Sequence, residues 1–244
     1  MSVLVVTGTG TGVGKTVVAA AVGALARNRG LSVSMVKPAQ TGVRPGEPAD
    51  LETVRRLAGI PDLHEWARYP DPLSPAAAAR RSGAPRLDVE RAAERVLCLS
   101  ARRQLVLVEG AGGLLVRYDD EGRTLADLAR RVGAPVLVVV EAGLGTLNST
   151  ALTLEALAHR GLELAGVVIG SWPQRPDLAA ISNLGDLERL AGRPLAGVLP
   201  AGAGRLPPED FLVLARAGLG PAYGGRFDAA DFRRAADPAL RGTA

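Results

Sequence analysis

Near its N-terminus the chain reads G-T-G-T-G-V-G-K-T from Gly8 to Thr16. Glycines at alternate positions let backbone N–H groups close around an anion, and a helix opening directly behind them adds the positive end of its dipole. A lysine at the end of such a loop reaches the β- and γ-phosphates of a nucleoside triphosphate, and the hydroxyl beside it suits Mg²⁺. Lys15 and Thr16 are therefore the expected working residues, with Gly12, Val13, Gly14 and Val17 completing the nucleotide cradle. Five residues rather than four separate Gly8 from Gly14, a departure from the usual P-loop spacing.

A second signal is compositional. Of 29 basic residues, 27 are arginine and two are lysine, Lys15 and Lys37. A lysine kept in so arginine-rich a chain marks a place where a compact ammonium is needed and a planar guanidinium does not fit. Lys37 opens K-P-A-Q-T-G, where the proline is expected to fix a turn and to leave the ammonium and the Thr41 hydroxyl beside the γ-phosphate. An ammonium there stabilises charge that develops during phosphoryl transfer. Glu109 ends the run L-V-L-V-E and precedes Gly110, Ala111, Gly112 and Gly113. A carboxylate so placed in P-loop proteins holds Mg²⁺ or its water shell. Asp50 begins a predicted helix and reads equally as its N-cap or as a second Mg²⁺ ligand. The helix start at Thr146, Leu147 and Asn148 presents N–H groups to a carboxylate or phosphate, with simple capping as the alternative. His64 and His159 stand apart from any carboxylate cluster and are assigned no role.

These residues need elements to hold them. Short Val-rich runs at 3–7, 32–36, 105–108, 136–140, 164–169 and 195–199 read as strands buried on both faces. Helical periodicity covers 15–28, 50–58, 88–102, 124–132, 146–159 and 177–191. The alternation predicts an α/β fold: a mainly parallel, doubly wound sheet flanked by helices, of the P-loop NTPase type. Ligands in such folds bind at the carboxyl ends of the strands, and every chemically suggestive cluster falls in the loops there. A chain of 244 residues is expected to form a single domain over 1–244. The tail from about Gly218 lacks firm periodicity and reads as a short helix or a disordered segment.

Composition narrows the class. Apolar residues make up 47% and aromatic residues only 3%, so the core must be Val, Leu and Ala. The net charge of +4 is spread among interleaved acids, so neither a nucleic-acid nor a membrane partner is expected. Cys98, the single cysteine, reads as a buried structural thiol in an apolar helical run. With no exportable N-terminal segment and no apolar run near about 18 residues, a cytoplasmic location is expected.

Together, G-T-x-T-x-V-G-K-T, K-P-x-Q-T-G and V-E-G-A-G-G, in this order from residue 3 to about 204, resemble the dethiobiotin synthetase family. The resemblance implies an ATP-dependent carboxylase and cyclo-ligase of biotin biosynthesis acting on 7,8-diaminononanoate and CO₂. One amine captures CO₂ as a carbamate, the γ-phosphate activates it as a mixed anhydride, and the second amine closes the ureido ring. It implies that Lys15 contacts carbamate and phosphates, that Thr16, Asp50 and Glu109 hold Mg²⁺, and that Lys37 stabilises the carbamate and the transferring phosphate. It further implies that Thr41 touches the diamine or carbamate, and that residues 146–148 bind the substrate carboxylate across a homodimer interface. Two positions depart from the family. Gly12 stands where a Glu is common. Gly170, followed by Ser171, stands where many members carry an adenine-reading Asn. That leaves backbone groups of Gly170 and of the loop Pro200, Ala201 and Gly202 to read the base, and predicts a weakened preference for ATP over CTP or other triphosphates. A P-loop ATPase switch of the partitioning or septum-placement type is the alternative, although the extra lysine of those loops is missing from residues 8–13.

Overall fold

Val-rich runs are satisfied only when both faces are covered, and each of them here is a strand sunk between two layers of helices. The computed structural model describes residues 3–44 and 46–237. Among these residues seven strands form one sheet: β1 (Val3–Gly8), β2 (Val33–Thr41), β3 (Asp62–Tyr69), β4 (Leu105–Glu109), β5 (Val136–Val140), β6 (Leu164–Trp172) and β7 (Gly197–Pro200). Their order is β3-β2-β4-β1-β5-β6-β7 and every pairing is parallel, which puts the P-loop strand at the centre. Side chains alternate between the two layers. Val136, Val138 and Val140 enter one core, and Leu137 and Val139 the other. The first core is closed by α3 (Pro75–Ser82), α4 (Val89–Ser100), α5 (Leu125–Val132), α6 (Thr146–His159) and α7 (Leu178–Ala191). The second is closed by α1 (Lys15–Asn28), α2 (Asp50–Ala58) and α8 (Pro208–Gly218).

The structure alters the sequence reading at several points, each for a local physical reason. β3 has no apolar run, because it is an edge strand that carries charges at Asp62, Glu65 and Arg68, a pattern that discourages pairing with another sheet. His64 is not isolated: its Nε2 lies 2.9 Å from Asp62 Oδ1, an electrostatic contact without hydrogen-bond alignment. Lys37 to Thr41 is not a turn but the continuation of β2. Pro38 falls beyond the last β2–β4 pair, Val36 with Val108, on a stretch paired only to β3, where a missing N–H is tolerated. The helices expected from 88, 124 and 177 start one residue later, since Asp88, Thr124 and Asp177 are their N-caps. Cys98 is exposed. The stripe of α4 that enters the core is Val89, Ala92, Ala93 and Val96, and Cys98 lies off it.

The tail is ordered through residue 237, while 238–244, like Met1 and Ser2, lie outside the described residues. Leu219 bridges to Gly197, and α9 (Ala229–Ala236) docks on α7 through Arg233 and Glu188. Phe232 of α9 meets Trp172 edge-on at 5.3 Å.

One backbone contact ties the P-loop to the neighbouring half of the sheet. Gly14 adopts φ +98°, and a Cβ on it would lie 2.5 Å from Gly170 O. A Cβ on Gly170 would lie 2.1 Å from Val13 O. Two backbones therefore interlock where neither admits a side chain. Gly170→Ala should lower stability by about 2–4 kcal/mol in urea unfolding, as overpacking against backbone does. Gly185→Ala, mid-helix in α7 with nothing within 4 Å of its Cβ among the described residues, should instead raise it by about 0.5–1 kcal/mol. Equal effects at the two sites would refute the interlock.

Candidate active site

The turn from β1 into α1 builds the loop. Lys15 is the first residue of α1, and its side chain folds back so that Nζ donates to Gly10 O at 2.6 Å. The residue is buried, and burial removes the hydration of its ammonium. Lys37 adds repulsion, Glu109 and Asp50 restore only part, and the pKa falls to about 8. Val13 is buried, turns inward and is not among the residues that line the cleft.

Sheet register places the second lysine. Glu109 pairs with Val6 of β1, and Val108 pairs with Val36 of β2, so Lys37 and Glu109 arrive side by side at the carboxyl edge. Lys37 Nζ donates to Glu109 Oε1 at 2.7 Å and to Gly110 O at 3.1 Å, and lies 2.6 Å from Asp50 Oδ2. Thr16 Oγ1 donates to the same Glu109 Oε1 at 2.8 Å. Burial pulls the Lys37 ammonium down, but Glu109 and Asp50 outweigh it and hold its pKa above the ordinary value. Burial pushes the Glu109 carboxyl up, with Lys37 opposing. Glu109 Oε2 is buried and has no hydrogen-bond partner among the described residues. Asp50 is the first residue of α2 and not its N-cap, a position taken by Ala49, so its carboxylate is free to face Lys37.

A cleft of about 790 Å³ opens over this cluster. Its floor holds Lys15, Thr16, Lys37, Asp50 and Glu109, and Gly12, Gly14, Val17, Thr41, Ala111 and Gly112 also face it. Gly110 is buried behind the turn, where a Cβ would strike Leu125 at 2.4 Å. Three contributions escape the sequence reading. Gln40 accepts the N–H of Asp50 at 3.3 Å, and so settles the start of α2 from β2. The Tyr118 hydroxyl accepts the N–H of Ala111 at 2.9 Å and props the glycine turn from below. The far wall, Pro72 to Pro75, belongs to the start of α3, a short alanine-rich helix without a legible apolar stripe. For Gln40 a signal was present, since it stands within K-P-A-Q-T-G.

The other named residues lie elsewhere on the same edge. Gly170 and Ser171 lie just before Trp172, the last residue of β6, and exposed Pro200 ends β7 with Ala201 and Gly202 in the turn behind it, joined by Ala201 N–H to Trp172 O at 2.7 Å. They flank the P-loop on the side away from Lys37. Thr146, Leu147 and Asn148 open α6 and are not among the lining residues. Thr146 is buried, with Oγ1 donating to Glu141 O at 2.7 Å, whereas Asn148 is exposed.

The chain is similar to known proteins over most of its length. The family described as AAA domain matches residues 2–203. The ATP-dependent dethiobiotin synthetase BioD of Frankia casuarinae is 68% identical over 233 residues, covering 96% of this chain and 98% of that protein. The protein of the same name from Streptomyces avermitilis is 56% identical, covering 98% and 100%. Among solved structures, the cell division ATPase MinD of Pyrococcus furiosus superposes with a TM-score of 0.55 at 18% identity, covering 88% of this chain and 97% of that one. Chloroplast FtsY of Physcomitrella patens superposes with a TM-score of 0.53, also at 18% identity, covering 97% and 65%. At such identity these two share the fold alone, whereas three ordered motifs and full-length identity above one half carry the family: the chain belongs to the ATP-dependent dethiobiotin synthetases.

Proposed function

We propose that residues 1–244 act as one P-loop domain that closes the ureido ring of dethiobiotin from 7,8-diaminononanoate, CO₂ and a nucleoside triphosphate. The observation that carries this reading is the convergence of the chain's two lysines on one cleft, with Lys37 locked between Asp50 and Glu109. Such a site offers charge and orientation without a nucleophile of its own, which suits an acyl-phosphate route whose intermediate hydrolyses readily.

Each group has a part in that route. Lys15 exchanges the Gly10 carbonyl for phosphate oxygens when the triphosphate enters. Lys37 holds the carbamate against the γ-phosphate and meets the charge that grows on the transferring group. Thr41, on the same strand, orients the diamine. The oxygens of Thr16, Asp50 and Glu109 fit Mg²⁺, a hard cation that takes one or two carboxylates and completes its shell from phosphates and water. The buried, unpartnered Glu109 Oε2 supports that assignment. When bound, the metal would neutralise charge on the β- and γ-phosphates.

The domain works as a homodimer in the cytoplasm. Residues 146–148 stand outside their own protomer's cleft, and the apolar side chains beside them, Leu144 and Leu152, are exposed by 91% and 58%, as a surface covered by a second copy would be. Among the described residues no helix is long and apolar enough to cross a membrane.

Incubating the protein with diaminononanoate, bicarbonate, Mg²⁺ and nucleotide should yield dethiobiotin by mass. Phosphate release indifferent to the diamine would point instead to an ATPase switch. Lys37→Arg should cut turnover about a hundredfold or more despite the retained charge, because three acceptors crowd a single buried nitrogen and leave no room for a planar fork. Near-normal activity in that variant would refute the role given to Lys37.

Gly170 bears on the nucleotide. Since Val13 O fills the space where a Cβ would go, no side chain at 170 reads the base, and discrimination is left to backbone groups. Steady-state kinetics with four nucleotides should show less than about a hundredfold preference for ATP, or about 2.7 kcal/mol. Gly170→Asn should not sharpen it, and a larger preference in the native protein would sink this reading.

The lowered pKa of Lys15 sets a pH dependence. A lysine whose pKa drops on folding opposes folding at pH below about 8, and that cost is relieved as pH rises from about 8 towards 10.5. A bound polyphosphate favours the ammonium, so its binding draws in a proton above pH 8. In metal-free buffer the affinity for tripolyphosphate should therefore fall above pH 8, approaching about tenfold per unit, with matching proton uptake by calorimetry. Affinity that stays flat from pH 7 to 9.5 would exclude it.

A further inference from the structure

Asn183 lies outside the cleft, mid-way along α7, and is 93% buried by its 7% exposure. A carboxamide nitrogen has two protons to give, and both are used on one loop. Nδ2 donates to Ala142 O at 2.8 Å and to Gly143 O at 3.0 Å, in the segment that joins β5 to α6. Thr146 secures the same segment from its other end. Its Oγ1 donates to Glu141 O at 2.7 Å and its N–H to Gly143 O at 3.3 Å. Three successive carbonyls, 141 to 143, are thus turned inward and bonded.

The amides that follow have the opposite fate. Gly145 takes φ +94° at the helix start, and no side chain caps it among the described residues. Ser149 N–H makes the first bond to the helix start, at Gly145 O, while among the described residues the N–H groups of Leu147 and Asn148 are left as orphan donors at the positive end of α6. Packing alone would be served by an apolar residue at 183. A side chain that bonds two carbonyls more than 35 residues away in sequence does something packing does not, since it fixes which way the peptide groups of this loop face.

We infer that Asn183 is a positioning residue for the substrate's carboxylate: by pinning the Ala142 and Gly143 carbonyls it aims the N–H groups of Leu147 and Asn148 at that charge. This rests on the proposed binding of the diamine's carboxylate at residues 146–148. Asn183 touches neither substrate nor reacting atoms, and α7 holds the loop from the layer behind it.

The test compares two substrates, diaminononanoate and its neutral carboxamide analogue, in the full-length protein. Asn183→Leu keeps the volume and removes both donors. It should raise KM for the acid about tenfold, the loss of one well-placed charge-binding contact. It should leave kcat, the KM for nucleotide and the KM for the carboxamide within about twofold of native, so that the preference for the acid collapses. Asn183→Asp, which sets an acceptor against two carbonyls, should do the same or more. Thr146→Val, which frees the Glu141 carbonyl, gives a second route if the Asn183 variants fold poorly, and the same selective loss is expected. An unchanged acid preference in Asn183→Leu, or in Thr146→Val where the Asn183 variants fold poorly, or losses shared equally by both substrates and the nucleotide, would overturn the positioning role alone. Native protein that takes acid and carboxamide equally well would overturn the carboxylate site, and this inference with it.

Discussion

A carboxylate buried at the carboxyl edge of a parallel sheet has to be answered by positive charge and by donors, and Glu109 is such a group. It is 1% exposed, and one of its oxygens receives both Thr16 from the P-loop helix and Lys37 from β2. Three elements from separate parts of the chain therefore meet on a single atom. A buried pair of this kind adds little net stability, because desolvation offsets the attraction, whereas removing either partner alone costs about 3–5 kcal/mol. Its value lies in position. It holds an ammonium and a hydroxyl at fixed places beside the phosphate loop before any ligand arrives.

The second lysine follows from the first. Lys37 is kept fully charged by two carboxylates, and its repulsion, added to burial, leaves Lys15 poised near pH 8. One ammonium is held between two carboxylates, and the other is held only by a backbone carbonyl. The same chemical group is shifted in opposite directions because the surroundings differ. The arginine bias elsewhere in the chain is the surface counterpart of this constraint.

The sheet order divides the labour. Strands β2 and β4, on one side of β1, carry the charged chemistry, while β6 and β7 on the other side carry Gly170 and the Pro200–Gly202 turn. The two halves are joined through the P-loop itself, where Gly14 and Gly170 meet backbone to backbone. No side chain fits at that seam, because the backbone contact that forms it fills the space a Cβ would need. The aromatic pair of Trp172 and Phe232 backs the same strand end and helps to tie α9 to it.

Much of this was legible in the residues. The Gly8–Thr16 loop, the isolated lysines, the carboxylate after L-V-L-V and the Val-rich runs each obey a local rule, so they name a phosphate site and a parallel sheet without reference to the rest of the chain. What lay beyond them is non-local. Whether Asp50 capped a helix or faced Lys37 depended on where β2 ended, and β2 ran past its proline because only β3 was left to pair with it. β3 itself was hidden because an edge strand needs no apolar run. Cys98 was misjudged because the buried stripe of α4 is set by what the helix packs against, and His64 because it lies on the hidden strand β3, where Asp62 sits beside it. By itself the sequence determined the chemistry available, since residue types and short spacings suffice for that. The tertiary structure alone decided which of those groups share an atom, a cleft or a seam, because such contacts are made by pairing between segments far apart in the chain.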